Sequence, residues 1–132
     1  MNGRKEIVNL DREIKSAIAA HGLWRSELLM AIKTMNSEWT PEALREEGAC
    51  SFGRWAASCP EEEVKSAPEF HECVEAHRRL HKVAAMVLRQ ALSGKRDAAM
   101  RSIDIGGDFA MASMEFTTSM LRLGQSVASS TE

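Results

Sequence analysis

Between Lys5 and Asn36 the apolar residues Ile7, Leu10, Ile14, Ile18, Leu28, Ile32 and Met35 recur in steps of three or four, with one gap. His21 and Trp24 or Arg25 fill that gap. The stripe therefore predicts one long amphipathic helix with the His21 imidazole facing inward. Gly22 beside it costs about 1 kcal/mol relative to Ala in a helix interior, and is expected to let a neighbouring element come close. The stretch from Asn36 to Pro41 breaks the period. Thr40-Pro41-Glu42 reads as an N-cap with proline at the first helical position, opening a short turn to about Glu47. After Gly48, Cys50-Ser51-Phe52-Gly53-Arg54-Trp55 begins a second short helix that stops near Cys59-Pro60.

Ser66-Ala67-Pro68-Glu69 starts the most regular stripe of the chain: Phe70, Cys73 or Val74, His77, Leu80 or His81, Ala84, Val87 or Leu88, and Ala91. Its opposite face carries Glu72, Glu75, Arg79, Lys82 and Arg89, with Glu75 and Arg79 at ion-pair spacing. Ser93-Gly94 closes this helix, and the short connection predicts an antiparallel neighbour. The last helix runs from about Lys95 to Leu123, where Gly106-Gly107 conflicts with helix propensity and predicts a bend or a tight contact. Residues 124–132 read as a polar, disordered tail. No repeat and little β pattern is present. The expected fold is all-α: one domain over residues 5–123, a four-helix bundle with a short helical connector between the first and second long helices.

The 132 residues are 44% hydrophobic, enough for a core without disulfides. Basic and acidic residues number 17 and 19 and are interspersed, which leaves no electrostatic footprint for nucleic acid. No apolar run approaches the roughly 20 residues that span a bilayer, and the first residues lack the apolar core of a signal peptide. The expected location is the cytoplasm, without membrane insertion. Three cysteines at irregular spacing argue against a disulfide framework.

Candidate chemistry centres on His77-Arg78-Arg79-Leu80-His81, because residues four apart on a helix lie one above the other and both imidazoles point the same way. With His21 and Cys50 they offer three nitrogens and a thiolate, the donor set of a closed tetrahedral zinc site. A lone inward histidine is more often a hydrogen-bonded core residue. Two stacked polar rings in a core need a shared reason, and His21 adds a third. Cys73 is the rival thiolate, but eight residues of helix span roughly 12 Å, so it cannot easily share an ion with His81. If both histidines of the pair bind, Cys50 is preferred and Cys73 packs in the core. Cys59 reads as a loop or helix-end thiol, and His71 as surface.

His21-Gly-Leu-Trp24, Cys50-Ser-Phe-Gly53-Arg-Trp55, then Phe70 with His77-x-x-x-His81 together resemble the successive motifs of the chemoreceptor zinc-binding domain, over nearly the whole chain. The resemblance implies a bacterial four-helix bundle holding one zinc through His21, Cys50, His77 and His81. It also implies a homodimer that regulates chemotaxis or cyclic-di-GMP signalling through a signalling protein or fused output domain outside this chain. It implies no enzyme activity, and sensing of zinc or of an oxidant such as hypochlorous acid, with Cys50 as the redox switch. Trp24, Trp55 and Gly53 are expected around the ligands. Two other classes compete. A metalloenzyme needs an open metal position and a base, and Asp104, Asp108 and Glu115 fall on the polar side of the last helix. A structural interaction module would use zinc only to hold the bundle together. Gly106-Gly107-Asp108-Phe109 matches part of a cyclase signature but lacks its glutamate.

Overall fold

A computed structural model describes residues 2–46, 48, 50–58 and 61–130, with side chains described between positions 10 and 127. The described residues are all-helical and contain no strand. In order the elements are α1 (Asn2–Gly22), α2 (Trp24–Thr34), α3 (Pro41–Arg45), α4 (Ser51–Ser58), α5 (Glu62–Lys65), α6 (Pro68–Leu92), α7 (Arg96–Ile103) and α8 (Asp108–Ser130).

The first predicted helix is interrupted only at Leu23, whose φ of −73° and ψ of −18° stay in the right-handed helical region. The helical phase therefore survives, and Leu10, Ile14, Ala17, His21, Trp24, Leu28 and Ile32 form one buried line. Gly22 does not admit a neighbour: no atom comes within 4 Å of where a Cβ would stand. Thr40 caps α3 as predicted, its hydroxyl accepting the Ala43 N–H at 3.1 Å. That helix ends at Arg45, while Glu47 and Cys59 lie outside the described residues.

α6 is the central rod. It packs on α8, α2, α3 and α7, and buries Phe70, Cys73, His77, Leu80, Ala84, Leu88 and Ala91 along one side. α1 packs on α8, and α2 on α6 and α7. The short helices α3, α4 and α5 lie against α6 in series, with α4 also touching α1 and α5 also touching α8. The sequence pattern missed α5, a single turn that buries Val64. Glu75 pairs with Arg78 at 2.8 Å rather than with Arg79. Arg79 reaches across to Glu115 of α8.

The expected long last helix is two helices. Asp104 leaves helical geometry and Gly106 sits at φ +87°. A Cβ on Gly107 would stand 2.1 Å from the Arg101 carbonyl oxygen. The glycine pair thus makes a turn that is both bent and tight, and the Ser102 hydroxyl accepts the Phe109 N–H at the start of α8. α8 also continues past Leu123 to Ser130. There Val127 is buried and the Ser126 hydroxyl donates to Glu69 of α6, so these residues are not a free tail.

Candidate metal centre

Two long helices and one helix start deliver the four candidate ligands. His21 stands in the last turn of α1, Cys50 immediately before α4, and His77 and His81 one turn apart on α6. One ligand atom from each falls in a group whose members all lie within 4.8 Å of one another. The three imidazoles are buried and Cys50 is half-buried. Within the group, His77 Nε2 lies 2.9 Å from His81 Nε2 and 3.1 Å from Cys50 Sγ.

The outer nitrogens fix which face of each ring points inward. His21 Nδ1 lies 2.7 Å from the Ala17 carbonyl, and His81 Nδ1 2.7 Å from the Leu44 carbonyl. A carbonyl only accepts, so both Nδ1 atoms carry hydrogen and donate. In the neutral rings Nε2 is then a bare lone pair. His21 Nε2 is buried with no hydrogen-bond partner, a state that costs about 1–3 kcal/mol when uncompensated. The Nε2 atoms of His77 and His81 face each other beside a thiol. His77 Nε2 can carry a hydrogen and donate to His81 Nε2, which leaves His21 Nε2 as the lone pair that no protein hydrogen bond explains. That lone pair, buried beside two more imidazole nitrogens and a thiol, is what a cation needs.

Burial pushes the His21 imidazole down to about 4, opposed by the Ala17 carbonyl and reinforced by His81. It pushes His77 down to about 3, with His81 and His21 adding to the effect. Both rings are therefore neutral near pH 7, the form that binds metal. Zinc bonds of about 2.0 Å to nitrogen and 2.3 Å to sulfur require ligand separations of roughly 3.3–3.6 Å in a tetrahedron. Separations of 2.9 and 3.1 Å fall just short of that range and all lie within 4.8 Å, so the donor set suits zinc in its chemistry and comes close to it in size.

Around the ligands, Trp24 packs its ring against His21 and His81 at centroid distances of 4.6 and 4.7 Å. The Gly53 N–H donates to Cys50 Sγ at 3.4 Å from the first turn of α4. Trp55 is a layer further out: it meets Phe52 and Phe70, and Phe52 is the ring that touches His77 at 4.7 Å. Phe116 of α8 closes the floor against His21, His77 and Phe52. Phe52, Phe116 and the Leu44 carbonyl complete the site beyond the residues that the sequence motifs point to. Phe52 carries a readable signal, since it stands two residues after Cys50 at the start of α4. Cys73 is fully buried, and burial raises its thiol to about 11 despite a hydrogen bond with Ser119. It stays protonated in the core, outside the cluster. His71, Asp104, Asp108 and Glu115 are exposed.

An all-helical scaffold whose buried histidines and one cysteine converge in this way defines a metal-binding helical module of the His3Cys type. The family model of the chemoreceptor zinc-binding domain matches residues 21–88, just over half of the chain and a span containing all four residues. The chain belongs to that family. No curated protein and no solved structure matches it at a significant level.

Proposed function

We propose that the chain is a regulatory zinc module of bacterial signalling, holding zinc through His21, Cys50, His77 and His81, and that Cys50 is its switch. The carrying observation is an asymmetry among the ligands: three are buried histidines on long helices, while the fourth is a half-buried cysteine at the edge of a short one. Four protein ligands leave no open position for substrate, which favours a sensor over an enzyme. In this reading the helices form the four-helix bundle of the family, α3 to α5 serving as the connector.

Zinc supplies charge that keeps Cys50 as a thiolate, the oxidisable form. Hypochlorous acid would transfer its oxygen to the sulfur: the thiolate is oxidised to a sulfenic acid and chloride leaves with the displaced electron pair. A sulfenic sulfur is a poorer ligand, so the α4 end of the connector loses its tie to α6. The histidines are held from outside the metal. His81 is oriented by Leu44 of α3, and Glu42 of α3 reaches Arg89 of α6 at 3.5 Å. Partner regulation then follows from movement of α4 more than of α3. A homodimer in the cytoplasm, coupled to an output outside this chain, completes the proposal. Met111, Met114 and Leu121, exposed at helical spacing on α8, supply an apolar face for it.

Stoichiometric hypochlorous acid added to the zinc-loaded protein should release about one zinc per chain to a chromogenic chelator, with a thiol reductant restoring binding. Retention of zinc after Cys50 is shown by mass to be oxidised would leave only a structural role for the metal.

A further inference from the structure

We propose that zinc reaches and leaves this centre through the cleft between α1 and the start of α4, with Glu13 as the group that captures the cation there. This rests on reading the centre as a zinc site. The cleft encloses about 80 Å³ and is walled by Glu13, Ser16 and Ala20 of α1 and by Ser51 and Phe52 of α4, with His21 and Cys50 on its lining. It therefore connects with two of the four ligands, including the half-buried one. Ser16 and Ala20 are exposed, so the cleft opens to solvent along α1.

Glu13 is the single formally charged side chain on this lining. It is half-buried, and burial alone pushes its carboxyl up. Among the described residues it makes no ion pair or hydrogen bond. A partly desolvated carboxylate carries a cost that a neutral residue at the same place would not. A cation passing through the cleft offsets it. On the inner side the unpartnered Nε2 of His21, on a residue 95% buried by its 5% exposure, offers the first lone pair toward which a captured ion can move.

Two turns of helix separate Glu13 from His21, roughly 12 Å along the axis. Glu13 thus acts by raising the local cation concentration rather than as a fifth ligand. As zinc bonds to Cys50, water leaves the ion and the thiol proton passes to solvent in the cleft. A second cleft of about 380 Å³ also touches His21, but its sole charged side chain is Arg25 and Cys50 is not on it. Positive charge at that opening disfavours a divalent cation, and the ion arriving there would meet one ligand instead of two.

The test is stopped-flow zinc uptake by the metal-stripped full chain, and zinc release to excess chelator, at low and high ionic strength. Glu13→Gln should slow uptake roughly three- to tenfold at low salt and flatten its salt dependence. Zinc stoichiometry and circular dichroism should match the parent. Ser16→Lys, which places a cation on the same lining, should slow uptake at least as much, while Asp108→Asn on the exposed start of α8 should not. Equal uptake rates for the parent and Glu13→Gln, with one zinc bound in each, would overturn the capture route alone. A parent chain that takes up no zinc would overturn the zinc reading itself and the route with it.

Discussion

At the scale of single residues, the site is decided by which atom of each imidazole is occupied. His21 and His81 spend Nδ1 on the backbone carbonyls of Ala17 and Leu44, so geometry leaves Nε2 for a metal. Burial makes the same choice for protonation, since it holds His21 and His77 neutral, at about 4 and 3. The consequence for stability has a definite sign. An unfolded histidine titrates near 6.5, so between that value and the depressed folded ones the unfolded chain binds more protons, and stability falls as pH falls. Metal-stripped protein should therefore lose stability steadily from about pH 6.5 toward pH 4. Urea midpoints measured across pH 7.5 to 4 check this, and a His21→Gln, His77→Gln double variant should show a shallower slope. A midpoint that stays level down to pH 5 in the parent would contradict neutral burial of these rings.

At the scale of elements, legibility followed the length of the periodic run. The α6 stripe was readable because eleven buried positions repeat at helical spacing over 25 residues. The break at Leu23 was not readable, because a residue that keeps helical dihedrals leaves the phase of the stripe intact. α5 offers four residues and one buried valine, too few to show a period. The end of α8 is hard to read in sequence because polar residues outnumber apolar ones there, although Leu123 and Val127 stand four apart on the same buried line. In the site, the ligand types and their helical spacing were legible. The Leu44 carbonyl on His81 was not, since a backbone acceptor 37 residues away leaves no mark on side-chain pattern. Two elements also carry sharp energetic expectations. Phe52 is the α4 side chain that wedges between His77 and Phe116. Phe52→Ala should cost about 3–5 kcal/mol of zinc-loaded stability, and chemical denaturation will measure it. Gly107→Ala drives a Cβ into the backbone of the α7 end. It should destabilise by more than the roughly 1 kcal/mol that an alanine ordinarily gains over glycine in a helix, a reversal of sign that the same titration reads.

At the scale of the whole molecule, the metal centre lies where the separate parts of the fold meet. α1 brings His21, the connector brings Cys50, α6 brings the histidine pair, and Phe116 of α8 closes the floor. One ion held there links three segments of the chain, so metal binding and folding should share one free energy. Without zinc, the cluster leaves a buried lone pair on His21, a local penalty in the middle of the core. With free zinc a hundredfold above its dissociation constant, linkage adds about 2.7 kcal/mol. For a chain of this size that corresponds to roughly a 10 °C rise in Tm. Calorimetry of zinc-loaded and chelator-stripped protein should show the rise, and its dependence on zinc concentration should disappear in Cys50→Ser combined with His77→Gln. Were the two forms to melt together while mass spectrometry shows one bound zinc, the ion would sit on the surface of the fold rather than at its junction, and the buried cluster would have to be explained as packing alone.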